Sequence, residues 1–250
     1  MERILKRYES AITAVAFHPD GERIGVGTYN GTLQVLNVHD GNVLPSFQGH
    51  DEAVTVVRFD PSGKYLASGS ADDSLVIWDA NQGDELLSID QGNEYDVTTL
   101  AFSPDGSRIA TGDGESEIKV WDTSNGEEVE TLRGHTETVT ALAYSPSGKH
   151  LVSASWDDTV RVWDNETGKM IKTLRGHTAD ITSVLFSPDG RSILSAGDDK
   201  TIRIWNARTY VLQKTIPAHV DTITCLTVSP DGRLLASGSK EIIGVWAPLQ

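Results

Sequence analysis

Residues 134–164 read GHTETVTALAYSPSGKHLVSASWDDTVRVWD. The stretch opens on Gly134-His135 and closes on Trp163-Asp164, and it holds three short apolar runs separated by turn residues. Copies run from Gly49-His50 to Trp78-Asp79, from Gly176-His177 to Trp205-Asn206 and from Ala218-His219 to Trp246. The closing tryptophans Trp78, Trp121, Trp163, Trp205 and Trp246 lie 43, 42, 42 and 41 residues apart. Counting back 42 residues from Trp78 reaches Leu36 in LQVLNVHDG. The chain therefore reads as six units ending near Leu36, Trp78, Trp121, Trp163, Trp205 and Trp246. They occupy residues 1–250 as a single domain, and no shift in composition marks a linker. A fixed period of this length is the signature of a repeat architecture.

Each unit reads as four short strands. Val139–Ser145 is almost continuously apolar, as a strand buried on both faces would be. Ser145-Pro-Ser-Gly148 follows, and its counterparts begin at His18, Asp60, Ser103, Ser187 and Ser229. Each sets a polar residue, a proline with fixed φ and a closing glycine in the order a tight turn needs. His150–Ala154 and Val160–Asp164 are the second and third strands. After the turn Asn165-Glu-Thr-Gly168, Lys169–Leu174 is the fourth. Four strands in about 42 residues is the pattern of a propeller blade. One such blade cannot bury its apolar faces alone, so it must stack on neighbours.

With its in-register Gly-His, Pro-Asp-Gly and Trp-Asp elements, the chain resembles the WD-repeat family of β-propellers along its whole length. The resemblance implies an all-β fold, a β-propeller of six four-stranded blades. The last unit stops four residues after Trp246, and by an offset of 169 Leu5 matches Leu174 of a fourth strand. Ring closure in the family implies that residues 1–8, with Ile4–Lys6 as the strand, form the outer strand of the last blade and remove an exposed edge. Seven blades is the commoner number in the family, so a piece of a larger ring stays the alternative.

His135, Ser153 and Asp157 have the residue types of a hydrolase triad. The set recurs as His50, Ser68, Asp72 and as His177, Ser195, Asp199, and each set precedes a tryptophan: Trp163, Trp78 and Trp205. An active site needs one such arrangement, and three copies point to structure. The resemblance implies a buried hydrogen-bond chain in which indole N–H, Ser hydroxyl, His and Asp satisfy one another. A buried indole or imidazole requires such partners. The third unit carries Asn93, Thr111 and Glu115 with Trp121. The last has His219, Ser237 and Trp246 without the Asp. The first, with Tyr8, Val26, Asn30 and Leu36, lacks the chain.

His and Asp can bond only if the loop opening each unit and the hairpin between its second and third strands share one face. In this family that face is the usual partner-binding rim. Tyr29, Ala71, Gly114, Trp156 and Asp198 precede the Asp position and project there. Turn residues are usually small or polar, so Trp156 and Tyr29 stand out as binding anchors. Tyr95 and the acids Asp51, Glu52, Glu137, Asp180 and Asp221 join them. Aromatic anchors beside carboxylates suit a Lys/Arg-bearing peptide. The second residue of every first strand is Thr: Thr13, Thr55, Thr98, Thr140, Thr182 and Thr224. A local role is expected for it, since a β-branched hydroxyl residue suits a strand and can satisfy a nearby backbone group.

Composition narrows the rest. Lys plus Arg number 21 against 36 acids, a net charge of −15, which opposes binding to nucleic acid backbones. No apolar run spans a membrane and no export signal is evident in MERILKRYES. The lone Cys225 sits in an apolar run and reads as a buried small side chain in a reducing compartment, the cytoplasm, with the nucleus open. Asn30-Gly-Thr32 and Asn165-Glu-Thr167 read as turns rather than glycosylation sites. Asp113, Glu115 and Glu117 lack calcium-loop spacing. No phosphate, dinucleotide or metal motif is present, so no cofactor, metal or catalytic residue is expected. The expected function is a non-enzymatic, monomeric scaffold that binds proteins or peptides on the loop-bearing rim. The alternatives are a structural or sensory propeller cut from a larger protein and, further off, an enzyme with a site in the axial channel.

Overall fold

A computed structural model describes residues 4–44, 47–91 and 95–247. It is all-β, with the six blades of a β-propeller fold as six small antiparallel sheets. In the fourth blade the strands are Val139–Tyr144, His150–Ser155, Thr159–Asp164 and Met170–Arg175, paired in that order. The second blade (Val54–Phe59, Tyr65–Ser70, Ser74–Asp79, Glu85–Asp90) and the fifth (Ile181–Phe186, Ser192–Gly197, Thr201–Asn206, Leu212–Pro217) repeat it. The third blade, beginning at Val97–Phe102, is likewise four-stranded. The first (Ile12–Phe17, Arg23–Thr28, Leu33–Asn37) and the sixth (Ile223–Val228, Leu235–Ser239, Ile243–Trp246) have three strands among the described residues.

The turns form as their residues require. At Ser145-Pro-Ser-Gly148 the Gly148 amide closes on the Ser145 carbonyl at 2.9 Å, and Gly148 takes φ +71°. That left-handed backbone is open to glycine at no steric cost. The second-to-third hairpin uses an aspartate instead. The Thr159 amide donates to Asp157 Oδ1 at 3.0 Å, while Asp158 takes φ +60°. Asp is among the few side chains that tolerate this region.

Contacts divide the chain into two compact units, Met1–Gly114 with Val120–Val129 and Glu115–Lys119 with Glu130–Gln250. Within the first unit, blades approach closely at glycine. A Cβ on Gly27 would lie 2.5 Å from Val54 Cγ1, and one on Gly69 would lie 2.4 Å from Val97 Cγ1. Both valines are fully buried. Within the second unit Ala154 and Ala196 hold the same place and pack in clusters with Ile181 and Ile223. Burying each such branched side chain contributes roughly 1.5–3 kcal/mol, so the core is a chain of blade junctions.

The repeated threonine reaches further than its own strand. Thr13, Thr55, Thr140 and Thr182 each donate their hydroxyl to a carbonyl of the next blade, at Val54, Val97, Ile181 and Ile223. Thr55 and Thr182 also reach carbonyls of their own blade, Gly69 and Ala196. The local role expected for this residue is therefore half of the account. The hydroxyl is also a polar tie across the junction.

Two further local features stand out, and the second corrects an expectation. Leu5–Tyr8 lie along the first blade's own third strand. Lys6 Nζ and Tyr8 Oη donate to Gln34 Oε1 at 2.7 and 3.1 Å, and the Leu5 carbonyl lies against Gly41. Gln34 gives this segment a polar partner in its own blade, which the 169-residue offset could not reveal. Cys225 is exposed rather than buried.

Candidate functional site

Three blades carry the full side-chain relay. In the fourth, Trp163 Nε1 donates to Ser153 Oγ at 2.9 Å, Ser153 Oγ lies 2.7 Å from His135 Nε2, and His135 Nδ1 lies 2.8 Å from Asp157 Oδ2. The fifth repeats it through Trp205, Ser195, His177 and Asp199 at 3.0, 2.7 and 2.9 Å. The second does so through Trp78, Ser68, His50 and Asp72 at 2.8, 2.7 and 3.1 Å. The register explains the geometry: Trp163 faces Leu151 across the strand pair, which brings its indole edge to the neighbouring Ser153. Each carboxylate then caps the loop that opens its unit, accepting from the amides of Asp51, Thr136 and Thr178.

Protonation follows from burial. Desolvation pulls the His50, His135 and His177 pKa values down, against the opposing pull of their aspartates. The neutral imidazole then carries its proton on Nδ1, donates it to Asp, and accepts the serine hydroxyl at Nε2. Burial would raise Asp157, but hydrogen bonds from His135 and Thr159 outweigh it and hold the carboxyl far below its usual range. Asp72 and Asp199 are lowered in the same way, burial again opposing hydrogen bonds from Ser74 and Thr201 and the nearby His. The arrangement has the hydrogen-bond order of a nucleophilic triad, yet each serine is fully buried and its oxygen already accepts an indole N–H. No substrate carbonyl can approach such an oxygen.

The other blades depart from the pattern. In the third, Trp121 Nε1 donates to Thr111 at 3.0 Å and Thr111 donates to Gln91 Oε1 at 3.0 Å. Gln91 thus fills the histidine place given to Asn93 in the sequence reading, and Asn93 itself lies outside the described residues. In the sixth, Trp246 and His219 meet at Ser237, but with no aspartate the buried His219 Nδ1 has no partner among the described residues. In the first, Asn30 only caps its own hairpin through Thr28 and Thr32.

Sequence reading missed two arginines. Arg161 and Arg203 place a guanidinium nitrogen 3.7 Å from Asp157 and Asp199. A Cβ on Gly134 would lie 2.3 Å from Arg161 Nη1, so the glycine of that Gly-His pair makes room for the arginine. The signal was the basic residue two places before the tryptophan.

The amides of Tyr29, Ala71, Trp156 and Asp198 donate to carbonyls of Ala11, Ala53, Thr138 and Asp180, tying each hairpin to the loop that opens its unit. Tyr29 is 70 % exposed, Trp156 47 % and Tyr95 40 %. Asp51, Glu52, Glu137 and Asp221 are exposed, and Asp180 is half-buried. In the first unit Tyr29, Glu52 and Asp96 share a cavity of about 610 Å³ floored by Thr13, Val54, Thr55 and Ala71. No cation lines it. Asp73 nearby has its carboxyl raised by burial and by Asp96, Asp72, Asp90 and Glu52. In the second unit Asp158 beside Trp156 is raised by burial and by Asp180, Asp157 and Asp199. A cavity of about 730 Å³ in that unit lies among the Pro-Gly turns, where Arg191 and Arg208 offset Asp189. Asp73 and Asp158 were also missed, and the doubled Asp of each hairpin was the signal.

No helix among the described residues is long and apolar enough to cross a membrane. The family model of the WD domain, G-beta repeat, matches residues 41–79, 84–122, 126–164, 168–206 and 210–246. The model of the anaphase-promoting complex subunit 4 WD40 domain matches residues 3–56, across the unit that lacks the relay. No curated protein matches the chain.

Proposed function

Because the chain belongs to the WD-repeat family, whose propellers generally serve as protein-interaction scaffolds, we propose that it is a non-enzymatic scaffold that binds Lys/Arg-bearing segments of partner proteins on its loop-bearing rim. One observation carries this reading: the cavity that joins the Tyr29 ring to the Glu52 and Asp96 carboxylates with no cation in its lining among the described residues. A guanidinium or ammonium group entering it meets a π face and two acids at once. Cation–π contact contributes about 0.5–2 kcal/mol, and the acids favour encounter with basic partners. The net charge of −15 works in the same direction. Trp156 with Asp158 and Asp180 offers a second contact of the same kind. The match of residues 3–56 to an anaphase-promoting complex subunit supports work inside a multiprotein assembly.

Peptide arrays probed with wild type, Tyr29→Ala and Glu52→Gln/Asp96→Asn test this reading. Wild type should select basic peptides, and both variants should weaken that selection, with affinity falling as salt rises. Selection of acidic peptides, or indifference to both variants, would sink it.

A further inference from the structure

The turn after the third strand closes on the same backbone bond in five blades. The amides of Gly41, Gly83, Gly126 and Gly168 donate to the carbonyls of Asn37, Asp79, Asp122 and Asp164, and in the fifth blade the Tyr210 amide donates to Asn206. The donor takes left-handed backbone each time, at φ between +60° and +80°. Four blades meet that demand with glycine. The fifth puts a bulky aromatic there, and backbone strain of this kind clusters at functional sites.

The rest of that turn departs as well. By formal charge residues 206–210 carry +1, from Arg208, where 37–41, 79–83 and 122–126 carry −1 and 164–168 carry −2. Asn206 caps the amides of Arg208 and Thr209, as Asp79 and Asp164 cap their own turns, but it brings no charge. Ala207 stands where Thr123 and Asn165 send a side chain to the Gly106 and Gly148 carbonyls, at 2.7 and 2.8 Å.

These changes meet at the cavity of about 730 Å³ in the second unit. It lies at the end of the fourth and fifth blades opposite their relay hairpins. Pro146, Phe186 and Tyr210 give it apolar walls, and His150, Arg191 and Arg208 give it donors. The first two blades show how the same place is filled by the chain itself. There Arg23, the counterpart of His150, reaches across to Asn81 Oδ1 at 2.8 Å. Arg208 is the counterpart of Asn81, so a donor replaces the acceptor and the complement of the pair is an anion. Arg191 is held 3.8 Å from Asp189, while Arg208 has no ion pair among the described residues. The Asp164 carboxylate also lies near Tyr210, but its oxygen is taken up by the amides of its own turn.

We propose that this cavity docks a phosphorylated serine or threonine within an apolar segment of a partner protein. The phosphate sits on Arg208 and Arg191, and the neighbouring apolar side chain lies between Phe186 and Tyr210. A phosphate dianion offers three acceptor oxygens to several donors at once, where a carboxylate offers two. The site shares no residue with the cavity around Tyr29 and selects the opposite charge.

A degenerate library of short peptides, each with one fixed phosphoserine beside Leu or Phe, is passed over the immobilised protein. The best-retained sequence is then titrated by fluorescence anisotropy. Its phosphoserine form should bind at least about tenfold tighter than its Ser and Glu forms. Arg208→Asn, which restores the pattern at Asn81, should weaken binding about tenfold. Tyr210→Gly should weaken it several-fold while the melting temperature holds or rises, because glycine relieves the left-handed backbone. Tyr29→Ala should leave it unchanged. A library that is not retained, a Glu form bound as tightly, or indifference to Arg208→Asn would each overturn the proposal. So would a lower melting temperature with intact binding in Tyr210→Gly, which would reduce the tyrosine to packing. Free phosphoserine bound as tightly as the peptide would give the cavity to a small phosphorylated molecule and overturn the docking.

Discussion

The first and fourth blades follow one plan and are held together differently. In the fourth, an indole, a hydroxyl, an imidazole and a carboxylate link the third strand, the second strand, the opening loop and the hairpin. In the first, Val26 and Leu36 fill the corresponding space with hydrocarbon, both buried, and Asn30 caps a hairpin at the surface. The same backbone therefore tolerates either a polar relay or an apolar plug. Half a relay, as at His219 of the sixth blade, is the costly state, because an unpaired polar group in the interior costs more than the completed bond contributes.

That difference can be attacked directly. The largest effect is expected from Ser153→Val, which puts the first blade's residue into the fourth. It strands both the Trp163 N–H and His135 Nε2, at about 1–3 kcal/mol each. Thermal melting should register a loss of several degrees, and a neutral result would mean the relay adds nothing to packing. Next is Asp157→Ala, which leaves the buried His135 Nδ1 and the Thr136 amide without their acceptor, for roughly 2–3 kcal/mol. Asn30→Ala at the matching place of the first blade should cost about 0.5 kcal/mol, as a surface cap does. Equal melting shifts for these two would erase the contrast between the blades.

Acid should separate the regions as well. Burial holds His50, His135 and His177 below the ordinary histidine value in the folded state, so the unfolded chain takes up protons first as pH falls. The stability tied to neutral imidazole is fully present above about pH 6.5 and is lost as pH falls through the lower folded values. Melting temperature should therefore drop between pH 7 and 5, and drop less steeply in His135→Gln/His177→Gln. A slope unchanged by that pair would remove the assignment. The smallest effect compares Thr140→Val with Thr224→Val. The first removes a junction bond and should cost about 1 kcal/mol. The second should be near neutral, since among the described residues its hydroxyl reaches only the Gly238 carbonyl, at 3.3 Å.

The spacing of the tryptophans made the blades legible, because an indole N–H needs a fixed acceptor, and that acceptor sits ten residues earlier in the second to fifth blades and nine earlier in the sixth. The relay was legible for the same reason: four polar types in register leave few ways to satisfy one another. The threonine tie was not, since its acceptor is an anonymous backbone carbonyl 41 or 42 residues downstream. Gln91 escaped because an amide two residues away from the aligned position does the work of a histidine. The partner of Lys6 and Tyr8 escaped because a single side chain, Gln34, supplies it. Tyr29 and Glu52 could be named from sequence, while their convergence on one cavity with Asp96 required the packing of neighbouring hairpins.

The threonine tie also gives the array a sense of direction. Every junction has a donor side and an acceptor side, and the order never reverses within a unit. A duplicated blade inserted at any junction would present both halves of the bond correctly, and a deleted one would leave its neighbours still matched. One hydroxyl per repeat thus makes the blades interchangeable links of a one-way chain, in which length can change by gene duplication without redesign of the joint.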